Sequence, residues 1–198
     1  MILNDNELAV AQKTSFDVNI IAFLKTETSS TIFQSPNFID DKGDGLSKNA
    51  IVSIVKNQEQ AIAIQKKLRN NLALKGYYPF ITQEHDIKDS WSITILKTND
   101  QFEILRFRKT EGIWHDIFTV DIVRKLNEWN DKYGLYVIGA DKVSVSFEFK
   151  HLPENMLKFS HEISDFCPDI FDKPFKNIEH LREFLSVGKI FTLRWHSK

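Results

Sequence analysis

Val143-Ser144-Val145-Ser146-Phe147-Glu148-Phe149 alternates apolar and polar side chains. Valine and phenylalanine fall on one side, serine and glutamate on the other. That alternation reads as a half-buried strand in a sheet with one wet face. Just upstream, Leu135 to Ile138 is a short strand, and Gly139-Ala140-Asp141-Lys142 turns the chain between the two. Before them lies a helix. Thr119 stands where a cap is needed, and Asp121 in the first turn and Lys132 in the last suit the macrodipole. Ile122, Leu126, Trp129 and Tyr133 form one stripe, and Gly134 ends it. Downstream, Pro153 suits the first position of another helix. Met156, Phe159, Ile163 and Phe166 line its buried side, and Pro168 stops it. Asn177 caps a last helix that Gly188 closes, and Ile190 to Trp195 is an aromatic strand.

The first half follows similar rules. Residues 1–13 read as a short helix and Phe16 to Lys25 as a strand. Residues 26–48, rich in Ser, Thr, Asp and Gly, read as a long surface loop. Within it, Asp40-Asp41-Lys42-Gly43-Asp44-Gly45 resembles part of a calcium loop, but Lys42 and Ile51 stand where the third and twelfth ligands belong. A plain turn is the better reading. Ala50 to Lys56 is a β-like run. Asn57, with Gln60 as a capping-box partner, starts a helix through Ala61, Ile64, Leu68 and Leu72 that closes near Gly76. Tyr77 to Thr82 and Ser90 to Lys97 are strands. Asp100 to Lys109 fits neither period cleanly; Asp100 as a cap and Gly112 past the end favour helix. The sum is an α+β fold, a mostly antiparallel sheet with helices packed on one face. Residues 1–48 are expected to be an N-terminal strand and loop extension, and residues 49–198 the α+β domain.

An apolar content of 42% with 16 Phe argues for a packed core and against disorder. The formal net charge of −1 supplies no field to draw in nucleic acid or an anionic membrane, so neither is expected as a partner. Local basic clusters such as Arg106-x-Arg108-Lys109 read as solvated faces. A single cysteine, Cys167, excludes an internal disulfide and suits a reducing compartment. The start, Met1 to Glu7, has no basic leader or apolar h-region, and a cytoplasmic location is expected.

Several marks carry a family likeness: Ala61…Leu68-Arg69 followed by Gly76-Tyr77-Tyr78-Pro79; Thr110-x-Gly112-x-x-x-Asp116; Leu126-x-x-Trp129-x-x-x-Tyr133-Gly134; and above all Phe166-Cys167-Pro168-Asp169 with an aromatic final strand. On these residues the chain, from about 50 to 195, resembles a bacterial family of uncharacterised domains. The resemblance implies a fold and a bacterial cytoplasmic setting, and no activity. Such domains end in two tryptophans and an acid; here the end reads Arg194-Trp195-His196, so no role of a terminal acid carries over.

Cys167 is the obvious nucleophile to weigh. It follows a helix C-terminus, between Asp165 and Asp169, and both features disfavour a thiolate. A small buried residue under the following loop fits better. His161, Cys167 and His180 offer zinc ligands, but with one sulfur and no compact spacing. His115-Asp116, after Gly112-Ile113-Trp114, offers an acid–base pair on a connecting loop, although neighbours on a chain seldom point the same way. Trp114 reads as a core anchor or as a contact residue, and Asp169 as a turn cap after Pro168. No phosphate-binding glycine loop, Gly-x-Ser-x-Gly or His-Glu-x-x-His occurs. No cofactor or metal is therefore expected, and the chain leans away from an enzyme. The leading reading is a protein-binding module of immunity or regulatory type, with Trp114, His115, Asp116, Asp169 and Trp195 as the candidate binding residues. A small hydrolase or transferase with a dispersed acid–base site and a small-molecule sensor stay open as alternatives.

Overall fold

A computed structural model describes residues 2–38, 45–72, 75–83, 90–172 and 174–195. The chain divides into two compact units, Met1–Phe107 and Arg108–Lys198.

The first unit holds α1 (Asp5–Thr14), α2 (Val18–Thr28), β1 (Phe33–Pro36), β2 (Leu46–Val55), α3 (Gln58–Leu72), β3 (Tyr77–Gln83), β4 (Trp91–Lys97) and α4 (Glu103–Arg108). Its strands run antiparallel in the order β1-β2-β4-β3. Register sets Ile51 opposite Ile95 and Ile81 opposite Ile93, so these four isoleucines share one face. That face is covered by Ala11 of α1, by Ile20, Ile21 and Leu24 of α2, and by Ala61, Ile64, Leu68 and Leu72 of α3.

The stretch expected as a strand, Phe16 to Lys25, is helical instead. Asp17 caps α2, its Oδ1 accepting the Asn19 amide at 2.8 Å. Ile20, Leu24 and Thr28 recur every four residues along its buried side. The β-branched run there outweighs neither the cap nor that spacing. The expected loop of residues 26–48 also carries β1 and the start of β2, paired as a hairpin. The partial calcium loop falls on residues 40–45, of which only Gly45 is among the described residues. For residues 100–109 helix is the observed state, with Asp100 Oδ1 accepting the Phe102 amide at 2.9 Å.

Glu7, fully buried, ties the N-terminus together. Its carboxylate accepts Lys25 Nζ at 2.6 Å, the Asn4 amide at 2.9 Å and the Ile32 amide at 3.4 Å. Burial by itself would push the Glu7 carboxyl up; Lys25 and the two amides outweigh it and hold the group below its ordinary value of 4.5. A depressed carboxyl stabilises the fold above its unfolded value and loses that contribution as pH falls through the folded one. Denaturant titrations are therefore expected to show Glu7→Gln less stable than wild type by about 2 kcal/mol at neutral pH. The gap should close below pH 4.5, where the unfolded carboxyl takes up its proton and then the folded one does. A gap independent of pH would contradict the ionised pin.

The second unit holds α5 (Thr119–Tyr133), β5 (Leu135–Ala140), β6 (Ser144–Phe149), α6 (Met156–Phe166), α7 (Ile178–Val187) and β7 (Ile190–Arg194). The strands run antiparallel in the order β5-β6-β7. Phe147 and Phe149 of β6 face the helices: Trp129 of α5 lies 6.1 Å from Phe147, and Phe159 of α6 lies 5.5 Å from Phe149. From α7, Phe184 reaches Phe191 of β7 at 6.3 Å. On the opposite face Ser146 and Thr192 share a hydroxyl hydrogen bond of 2.7 Å near water. The alternation of residues 143–149 is thus realised, and the fold class is α+β.

Two helix starts differ from expectation. Phe118, not Thr119, is the residue before α5, and its amide donates to Asp121 Oδ2 at 3.1 Å. Asn155 caps α6 by accepting the Lys158 amide at 2.9 Å, while Pro153 lies outside it and is buried. At the end of α5, Gly134 takes a positive φ of 61°, which a side chain would resist. Among the described residues no helix is long and apolar enough to cross a membrane.

Candidate functional site

The surface of interest lies in the second unit, on residues 112–120. Gly112 and Ile117 close a small loop through two backbone bonds: the Gly112 amide donates to the Ile117 carbonyl at 2.8 Å, and the Ile117 amide returns to the Gly112 carbonyl at 3.2 Å. Between them Ile113–His115 form one 3₁₀ turn. The His115 amide donates to the Gly112 carbonyl at 2.9 Å, and Asp116 takes a left-handed φ of 55° to bring the chain back. Asp116 belongs to a residue type that tolerates this conformation.

Trp195 sets where the loop sits. It is fully buried, its ring 5.8 Å from and perpendicular to Phe166, and its amide donates to the Val143 carbonyl at 2.8 Å. A Cβ on Gly112 would stand 2.6 Å from the Trp195 ring. Only a glycine lets the backbone pass there. Trp195 is thus buried and supports the loop from beneath.

His115 is held from the side. Its Nε2 lies 2.9 Å from Asp169 Oδ1, in the 3₁₀ turn Pro168–Phe171 that follows α6. The partner of His115 is thus a residue 54 positions away, and not the adjacent Asp116, which is exposed. Asp169, expected as a turn cap, makes this contact through Oδ1. Trp114, for which a place in the core was one reading, is 59% exposed. Ile113, Phe118 and Val120 stand out beside it in the chain, Val120 at 69% exposure. The sequence reading passed over these three apolar residues. Their signal was the density of apolar residues, five of the eight from Ile113 to Val120, in a segment too short for a period.

Cys167 ends α6, and its amide donates to the Ile163 carbonyl at 2.8 Å. The thiol is fully buried and donates to the Arg194 carbonyl at 3.3 Å. Burial first, and then the charge of Asp169, push the thiol up to about 12. At neutral pH it is no nucleophile. His161 and His180 are exposed, on α6 and α7, and among the described residues no three His, Cys, Asp or Glu side chains are placed to share a metal ion.

These landmarks coincide with a sequence family. The chain matches the domain of unknown function DUF4253 over residues 92–196, just over half of its 198 residues. It belongs to that family. The match opens in β4 at Ser92, so the likeness drawn on Ala61 to Pro79 lies outside it. No curated protein matches the chain, and no solved structure does. The loop, Asp169, Cys167 and Trp195 all fall within the DUF4253 region.

Two outcomes are expected. Gly112→Ala should lower thermal stability of the second unit by about 1–3 kcal/mol, since the new methyl overlaps a buried indole; an unchanged melting curve would contradict the close packing. Cys167 in the native protein should react with a thiol reagent at neutral pH only as fast as the chain opens. Denaturant should release it, and rapid labelling without denaturant would contradict the burial.

Proposed function

We propose that the second unit is a non-enzymatic protein-binding module, and that residues 113–120, the closed loop and the start of α5, are its contact surface. The observation that carries this is the outward set Ile113, Trp114, Phe118 and Val120, four large apolar side chains within eight residues: the first two on the hydrogen-bonded loop, Phe118 just before α5 and Val120 in its first turn. Exposed apolar residues scattered singly need no explanation, but a group of this size around a tryptophan is characteristic of an interface centre. His115, Asp116 and Asp169 supply polar contacts at its margin. Trp195 acts through the loop alone. An immunity or regulatory role in a bacterial cytoplasm fits a lone thiol kept as a thiol.

The His115–Asp169 pair is the one feature that favours the alternative, a hydrolase or transferase. An imidazole oriented by a carboxylate is half of a catalytic arrangement. The chain's single thiol is buried and does not complete that arrangement as a nucleophile.

The test is capture of a partner by the native protein and by variants of it. Trp114→Ala combined with Val120→Asp is expected to weaken a captured complex by about a hundredfold. Leu157→Asp, which alters an exposed apolar residue of α6, should leave it intact. A complex indifferent to Trp114 and Val120, or no complex at any salt concentration, would overturn the assignment.

A further inference from the structure

The first unit carries a cavity of about 540 Å³ between the start of α2, the end of α3 and the start of β3. All of its residues precede the DUF4253 match. The volume lies within the range of small-molecule sites. Its floor is apolar: Ile20 and Leu72 are buried there and belong to the unit's core. Phe23 and Tyr77 are half-buried beside the floor, and Tyr77 is held by the ring of Phe16 at 5.2 Å.

The rim is charged, with one group of each sign. Asp17 lends Oδ1 to the Asn19 amide at 2.8 Å and to Asn19 Nδ2 at 3.0 Å. Its Oδ2 has no partner among the described residues. Lys75 lines the same cavity, and its ammonium has no hydrogen bond or ion pair among the described residues. An apolar floor alone would suit a fatty or aromatic hydrocarbon. A carboxylate and an ammonium on one rim, neither ion-paired among the described residues, suit a ligand that brings both opposite charges with it.

We propose that this cavity binds a small zwitterion with an apolar body, of the class of a free amino acid with a large apolar side chain. The body lies on Ile20 and Leu72 beside Phe23 and Tyr77. The ligand's ammonium pairs with Asp17 and its carboxylate with Lys75. Because both charged groups are exposed to solvent, the affinity is modest, with a dissociation constant on the order of 0.1–1 mM. The site is independent of the binding surface on the second unit and does not rest on it.

The experiment is a titration of the full chain, followed by NMR, with L-phenylalanine and L-leucine and with the N-acetyl and amide forms of each. The free amino acids are expected to shift the signals of Phe23 and Tyr77 saturably, and each capped form to bind about tenfold more weakly. Asp17→Asn retains a side-chain oxygen that caps α2, so the helix survives the change. That variant should lose the preference over the N-acetyl form only. Lys75→Met should lose the preference over the amide only. The proposal is overturned if neither free amino acid saturates by roughly 10 mM, if capped and free forms bind alike, or if either variant leaves both preferences intact.

Discussion

The backbone of Gly112 runs against the face of the Trp195 indole with no room for a side chain between them. Much of the second unit is arranged around that contact. The indole lies edge to face with Phe166 at the end of α6, and Phe166 in turn packs 6.1 Å from Trp129 of α5. Trp129 meets Phe147 of the sheet and Phe159 of α6. A chain of aromatic pairs, edge to face at Trp195–Phe166 and Phe166–Trp129 and tilted at Trp129–Phe147, thus runs from the loop to the sheet. Such pairs contribute roughly 0.5–1.5 kcal/mol each beyond the area they bury. Because aromatic rings are rigid and interiors close-packed, a change at one end has few places to relax. The position of residues 113–116 is therefore decided deep in the core.

The same corner explains why the Cys-Pro-Asp sequence is structural. Pro168 cannot continue α6, since it has no amide to donate and its ring restricts the residue before it. Cys167 therefore leaves the helix with φ −130° and ψ 80°, and its side chain turns inward under β7. Asp169, two residues on, swings toward His115. One proline thus sends a thiol into the core and a carboxylate toward His115. The carboxylate's charge then adds to burial in keeping the sulfur protonated.

The legible parts of the chain were those where local pattern and tertiary burial agree. β6 shows this, since Val145, Phe147 and Phe149 all turn to the core and the residues between them do not. The cap of α7 by Asn177 and the stop at Gly188 were also plain, because capping is a matter of a few neighbouring residues. α2 was not legible. Its Ile20, Ile21 and Phe23 favour a strand locally, and the helix wins through packing on the isoleucines of β2 and β4, far away in sequence. The site divides in the same way. His115 and Asp169 could each be picked out as polar residues on connections, yet their pairing across 54 positions is a product of the fold. The burial of Trp195 and the exposure of Trp114 were undecidable from local sequence, because each is a tryptophan followed directly by a histidine. What separates them is that one packs on a glycine and the other stands on a turn of three residues.

That turn has a thermodynamic consequence. Leaving Trp114 and Val120 in water forgoes burial that is worth roughly 1.5–3 kcal/mol for a large apolar side chain. A fold without use for the exposure would gain by turning them inward or replacing them. Here the loop is fixed instead, by the two bonds between Gly112 and Ile117, by the return of the His115 and Asp116 amides to the turn, and by the His115–Asp169 contact. Ordering a flexible loop costs about 1–2 kcal/mol for each residue fixed. In this chain that cost is met during folding. Apolar area presented on a rigid loop converts into affinity with less loss than the same area on a mobile one. The close packing beneath the loop and the apolar residues above it are in this sense one arrangement: the first makes the second effective.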